Sequence, residues 1–386
     1  MVRTTSQDKM KIKNYTKILE VVTANPGINR KKVSSLTKLS NQTLSNLVKE
    51  LSDFGYVLEF PLEDAPGYGR KPIGLQVNFK AFLIISLEFT YNSLGVYLNT
   101  CDGEVLQYDR YALDKALDVI TIIKEGVENA LKYANTRVFA IVMSAEGIID
   151  EDNRKLTHIK ALALKDVDLG QEQAYLHIPF FLLNETNLIC SHVNLTNTKP
   201  HNFMVVKLDT GIGCSIALDG HIQKTSANNM PGKLGHLKVT NPDEDVTCWC
   251  GGKNCLSAFI SRDFIEARFN LPYEEALRLI RDGEASGFYG KILSYLAPIL
   301  ANVTTLMGIE KIYACGRMVD IFGTTFIADL AREITPLIPS WINFMGIEES
   351  PVPSIPEQCS VYFMDYFLKN ILTYLETVEE TPFKVR

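Results

Sequence analysis

Between Gly232 and Cys255 the chain concentrates three of its eight cysteines within eight residues, Cys248, Cys250 and Cys255, and sets His236 twelve positions before the first of them. One imidazole and three thiolates form a common ligand set for a closed tetrahedral zinc site, which has no open position for water and so folds a segment instead of doing chemistry. The polar run Asn241 to Asp245 suits a loop between the histidine and the first thiol, while Gly251 and Gly252 permit the tight turn that brings Cys255 back. Three metal-free thiols or a disulfide are the alternatives, although cysteines in a reducing compartment seldom cluster this way without a metal.

The length, 386 residues, gives room for two or three units that each bury a core, and 46% hydrophobic with 22% charged residues places the chain among ordinary soluble globular proteins. Apolar runs such as Ala81 to Leu87 are far shorter than a membrane span and the N-terminus is polar, so a cytoplasmic protein with no membrane partner is expected. The net charge of -6 conceals an asymmetry: residues 1–80 carry 13 Lys and Arg against 7 Asp and Glu, the remainder 26 against 38. Clustered cations suit a phosphate backbone; a solvated charged face is the alternative.

Ile12, Tyr15, Ile18, Leu19 and Val22 keep helical spacing up to Asn25-Pro26-Gly27, which ends that helix. A second helix is predicted from about Asn29 to Thr37 with Val33 and Leu36 inward. A third, capped by Ser40, carries the apolar stripe Leu44, Leu47, Val48 and Leu51. Strands Tyr56 to Phe60 and Ile73 to Val77 flank a loop holding Gly67-Tyr-Gly-Arg-Lys-Pro72, so residues 1–79 describe a winged helix-turn-helix. The start of the third helix offers Asn41, Gln42, Thr43 and Asn46 to base edges in a major groove; in the wing, Arg70 can enter a minor groove and Lys71 neutralise a phosphate. Double-stranded operator DNA is the expected partner, against the alternatives of a solvated polar face or a protein-binding winged helix.

From residue 80 strands and helices alternate. Strands Phe82 to Leu87, Leu94 to Leu98, Val105 to Tyr108, Val138 to Met143 and Phe180 to Leu183, with a helix from Ala116 to Ala134, describe an α/β lobe over residues 80–202. A second lobe, 203–386, opens on strands Met204 to Leu208 and Cys214 to Leu218 and then carries the cysteine loop. Predicted helices follow at Leu256 to Phe269, Tyr273 to Asp282, Ser286 to Met307 and Ile321 to Ile334, with a buried strand from Lys311 and a closing helix from Met364 to Val378.

Gly232-Lys-Leu-Gly-His236, then Cys248-Trp-Cys-Gly251 and Asn254-Cys-Leu-Ser257, resembles the signature of the ROK family (repressors, open reading frames and sugar kinases), usually Gly-Glu-x-Gly-His and Cys-x-Cys-Gly-x-x-Gly-Cys-Leu-Glu. The wing's Gly-Arg-Lys-Pro resembles that of the family's repressors. The resemblance implies a two-lobed, actin-like (RNase H-like) ATPase fold behind the head and a structural Zn2+ on His236, Cys248, Cys250 and Cys255. It also implies a sugar or sugar-derivative effector, and a homodimer or dimer of dimers.

Set against the family's kinases, the nucleotide elements are altered. The Asp-x-Gly-Gly-Thr phosphate turn is Glu88-Phe-Thr-Tyr-Asn92 here, whose bulk denies the close backbone approach of paired glycines. Gly-Thr-Gly-Ile-Gly becomes Asp209-Thr-Gly-Ile-Gly213, and an adenosine-side Gly-Gly becomes Gly316-Arg317. On the sugar side, Asn184 is kept for a hydroxyl, and Glu185 carries the general-base carboxylate one methylene further out, or merely opens a helix. His236 would touch a sugar hydroxyl, and Lys233, in place of a glutamate, offers donors only or turns to solvent. The expectation is a sugar-responsive repressor with a non-catalytic, kinase-like body. An ATP-dependent sugar kinase with a DNA-binding head is the alternative, and a ligand-independent repressor a third reading.

Overall fold

The computed structural model describes residues 6–62, 72–115, 118–170, 178–197, 200–224, 232–240, 242–350, 352–371 and 374. Helices α1 (Ser6–Ala24), α2 (Arg30–Thr37) and α3 (Asn41–Asp53) are set by local chemistry. Tyr15, Ile18, Leu19 and Val22 bury one face of α1. The Asn29 side chain caps α2 by accepting from Lys32 N–H, and Ser40 caps α3 by accepting from Thr43 N–H at 3.1 Å. The stripe Leu44, Leu47, Val48 and Leu51 is buried as predicted. Leu36 is not: it is 59% exposed, because Val33 and Thr37 fill the inward face of so short a helix. Strands β1 (Ile28–Asn29), β2 (Val57–Pro61) and β3 (Ile73–Val77) complete the winged head in the order β1-β3-β2, and Leu62 N–H donates to Pro72 O where the wing loop closes. Arg70 and Lys71 lie outside the described residues.

Contacts divide the chain into two units: Met1–Glu146, Arg154–Leu182 and Ile355–Arg386 in the first, Gly147–Asn153 and Leu183–Ser354 in the second. The division therefore differs from boundaries at 79/80 and 202/203. The first unit holds β4 (Leu83–Phe89), β5 (Ser93–Thr100), β6 (Val105–Ala112), α4 (Val119–Leu131) and β7 (Val138–Ala145). After the short strand β8 (Ile148–Asp150) come β9 (Lys155–Ile159), β10 (Leu164–Asp168) and β11 (Phe180–Asn184). Its main sheet runs β11-β7-β4-β5-β6, with β4 parallel to β7 and antiparallel to β5. The antiparallel β9–β10 hairpin was not expected, because its turn uses Ala163 at φ 54 where a glycine or asparagine would have signalled it.

The second unit, to which β8 belongs, continues with α5 (Glu185–Thr196) and repeats the strand order: β12 (Phe203–Leu208), β13 (Ile212–Leu218), β14 (His221–Ile222), β15 (Lys311–Cys315) and β16 (Ile347–Glu349) lie as β14-β13-β12-β15-β16. Its β12 is antiparallel to β13 and parallel to β15, as β4 is to β5 and β7. The α/β, two-lobed architecture behind a winged head is thus the one expected. The predicted helix Leu256 to Phe269 is two, α6 (Ser257–Ile260) and α7 (Arg262–Phe269), because Ser261 is extended and Arg262 N–H goes to Thr210 O at 3.2 Å. Beyond α8 (Tyr273–Arg281) and α9 (Ser286–Met307), α10 (Arg317–Ile334) starts four residues earlier than predicted and kinks at Gly323. The closing helix α11 spans Ile355–Lys369, starting well before Met364, with Pro356 tolerated in its first turn. Among the described residues no helix is long and apolar enough to cross a membrane.

Helix α11 packs on β4 and β7 of the first unit. There Tyr56 of the head, Phe82, Phe139 and Phe367 form one aromatic cluster, with Phe82 centroids 4.8 Å from Tyr56 and 4.9 Å from Phe367. Thr16 Oγ1 of α1 donates to Leu368 O at 2.7 Å. Head, first lobe and closing helix therefore share one core. Phe82→Ala should cost about 3–5 kcal/mol in chemical denaturation and lower the unfolding midpoints of head and first lobe together; a head that melts unchanged would contradict the shared core.

Candidate functional site

His236 ends a short 3-10 turn, and the cysteines follow on a loop fixed by backbone pairing. Val239 N–H donates to Asn254 O, Leu256 N–H to Leu237 O and Cys248 N–H to Gly252 O, each at 2.8 Å. The four side chains converge: one ligand atom from each of His236, Cys248, Cys250 and Cys255 lies within 4.8 Å of the others. Cys250 and Cys255 sulfurs are 3.7 Å apart, and Cys248 Sγ is 3.8 Å from His236 Nδ1. A disulfide needs about 2.05 Å, and all eight cysteines are unpaired. A tetrahedral ion with metal–sulfur bonds of about 2.3 Å has sulfur–sulfur edges of about 3.8 Å, so the residues fit a metal. Burial first, then the ammoniums of Lys233 and Lys238, hold the His236 pKa below its ordinary value, favouring the neutral imidazole that ligates.

Asn184 and Glu185 stand at the start of α5. The Asn184 side chain caps it, accepting from Thr186 N–H at 3.0 Å and donating to Gly147 O at 3.2 Å. Glu185 Oε2 is 2.5 Å from Lys207 Nζ, and Lys207 also lies 3.6 Å from Asp209. Glu151 accepts from Asn184 N–H at 2.9 Å and from Asn187 Nδ2 at 2.8 Å, and its other oxygen meets Lys224 at 2.5 Å. Lys233 has no carboxylate partner among the described residues; the residue as a whole is exposed, yet surrounding protein desolvates its ammonium enough to lower its pKa.

Close contacts bring these elements together. A methyl group on Gly232, whose φ is +88, would stand 2.0 Å from Cys214 O of β13. One on Gly213 would meet Thr186 Oγ1 at 2.3 Å, and one on Gly235 would lie 3.2 Å from Ile212. The start of β13 is therefore flanked by the start of α5 on one hand and the loop bearing Lys233 and His236 on the other.

The segments compared above with the kinases' nucleotide turns carry the following bonds. Thr90 N–H donates to Ser93 O at 2.9 Å, Tyr97 Oη donates to Glu88 at 3.1 Å, and Tyr273 Oη donates to Asp209 O at 3.1 Å. Arg317 pairs with Glu274 at 2.9 Å. In the head, Asn41, Gln42, Thr43 and Asn46 are all exposed along the first turns of α3.

Residues 85–338 match the ROK family profile. The chain belongs to the ROK family. The xylose repressor of Caldicellulosiruptor bescii is 27% identical over 258 residues, 64% of this chain and 63% of that protein, so the chain matches less than two thirds of that relative. The crystal structure of a ROK family transcriptional regulator, a homolog of the E. coli Mlc protein, superposes with a TM-score of 0.80 at 20% identity over 95% of this chain and 99% of that one. The ROK hexokinase of Thermus thermophilus gives 0.60 at 17% identity, over 74% of this chain and 99% of that one. At such identities these structures show the fold; the regulator's coverage includes the winged head.

Within this ROK chain, motif reading did not find Glu151, Lys207 and Lys224, since Lys207 and Lys224 lie on or beside strands remote in sequence from Glu185 and Glu151. Gly232→Ala should cost roughly 2–4 kcal/mol by clash and backbone strain. Gly211→Ala, with no heavy atom within 4 Å of its added methyl, should stay within about 0.5 kcal/mol. Thermal melting of the two variants checks the pair.

Proposed function

We propose that the chain is a sugar-responsive DNA-binding transcriptional regulator, acting as a repressor, whose kinase-like body binds an effector without phosphorylating it. The observation that carries this reading is the exposed polar start of α3 on a basic winged head. Asn41, Gln42, Thr43 and Asn46 face a major groove, Lys31, Lys32, Lys38 and Lys49 add exposed cations, and Arg70 and Lys71 serve the adjoining backbone and minor groove. The relatives named as repressors support the same class; the sugar in their names is not carried over. A homodimer, or a dimer of dimers, supplies two heads to a two-fold operator in the cytoplasm.

The body supports an effector role over catalysis. A kinase needs a free carboxylate to take the hydroxyl proton and open glycine turns for phosphates. Glu185 instead shares its oxygen with Lys207, and at the turn positions Thr90 N–H, Asp209 O and Arg317 are engaged by Ser93, Tyr273 and Glu274. Asn184, Glu185, Lys233 and His236 form the effector site, and a structural zinc on His236, Cys248, Cys250 and Cys255 holds the loop that carries two of them.

Binding to the duplex upstream of its own coding sequence should weaken steeply with salt. Asn46→Ala should cost about 1–3 kcal/mol of sequence-specific affinity, and Lys71→Ala should lower the salt slope by about one. Absence of binding to any duplex at low salt would end the regulator reading. Because Lys233 adds a cation with no carboxylate partner among the described residues, an acidic or phosphorylated sugar should bind more than about tenfold tighter than its neutral counterpart in calorimetry, with Lys233→Glu erasing the preference. Tight binding of neutral sugars alone, indifferent to that substitution, would count against Lys233 as an effector contact.

A further inference from the structure

A divalent ion bound by three thiolates and a neutral imidazole leaves one net negative charge. Here that charge would be shared between Cys255, fully buried, Cys248, 4% exposed, and an exposed Cys250, so part of it lies away from water. A charge in such surroundings is costly unless something of opposite sign answers it.

Among the cations nearby, Lys253 pairs with Asp245 at 3.7 Å. Lys238 is different. Its Nζ lies 3.0 Å from Cys255 Sγ, delivered there by the antiparallel bridge that sets Lys238 opposite Cys255. The bonds from Val239 N–H to Asn254 O and from Leu256 N–H to Leu237 O lock that register on both sides.

The two neighbouring glycines separate on this point. Gly251 has a φ of +85 and no heavy atom within 4 Å of an added methyl, so it is a conformational glycine. Gly252 has no such backbone requirement. A methyl there would stand 2.6 Å from Lys238 Nζ, 3.4 Å from Cys255 Sγ and 3.5 Å from Cys250 Sγ. The space it would fill is the space the ammonium uses.

We propose that Lys238 is the charge-balancing partner of the metal centre, donating to the Cys255 thiolate, and that Gly252 is glycine in order to admit its ammonium. This rests on the zinc reading above and adds to it a residue that does not touch the ion, acting through its ligand as partners of this kind do.

The full chain is loaded with zinc and titrated with a competing chelator, wild type beside Lys238→Met, Gly252→Ala and the double variant. Lys238→Met should hold zinc about ten- to hundredfold more weakly. Gly252→Ala should weaken it too, although every ligand and the lysine remain. The double variant should be no weaker than the weaker single one, since both remove the same interaction. In cobalt-loaded protein the thiolate-to-cobalt absorption of Lys238→Met should shift from that of wild type. Zinc retention within twofold of wild type in Lys238→Met, or losses that add independently, would overturn the proposal while leaving the zinc reading intact. Should Lys238→Met fail to fold, Lys238→Gln is held to the same criterion. A wild-type chain that takes up no zinc would overturn both.

Discussion

The approach of Gly232 to β13 is the constraint on which the chemistry of the second unit depends. There is no room for a methyl between that glycine and the Cys214 carbonyl, nor between Gly213 and Thr186. Metal loop, strand and the start of α5 are consequently one layer. A shift of His236 or Lys233 has to be matched by β13, and a shift of β13 by the capped end of α5. That gives a physical route by which a ligand touching Lys233 could be felt at Asn184, provided it favours one arrangement of this layer over another.

Lysines answer the carboxylates of this layer. Glu185 and Asp209 meet Lys207, and Glu151 meets Lys224 while gathering two amide donors from Asn184 and Asn187. Removing one member of a largely buried pair strands the other, which is costly, so such pairs hold geometry more than they add net stability. Two lysines near the His/Cys cluster differ: Lys238 is engaged by sulfur, and Lys233 has no carboxylate partner among the described residues.

Much of this was legible in the residues. A histidine and three cysteines at short spacing admit few readings other than a metal site, and the 3.6-residue stripe from Leu44 to Leu51 describes α3 without help from tertiary contacts. What was not legible depended on distance along the chain. The lysine partners of Glu185 and Glu151 come from β12 and from the end of β14. The β9–β10 hairpin hides behind an alanine in a left-handed turn, and the start of α11 behind two prolines, Pro353 and Pro356. The repeated strand order of the two sheets has no counterpart in sequence repetition, because backbone pairing and burial alternate alike for many sequences. The unit boundaries are tertiary facts: nothing in α11 itself says that it returns to β4 and β7.

That return has a consequence for how the molecule is made. Thr16 and Leu368, joined by a hydrogen bond, are 352 positions apart, so the first unit waits for a segment translated long after its start. Until the closing helix emerges, the growing chain must carry β4 and β7 with part of their apolar covering missing, a state open to chaperones and to unwanted association. The winged head is thereby tied to a helix made long after it: a polypeptide terminated before Ile355 would possess every residue of the head and lack the helix that finishes its foundation.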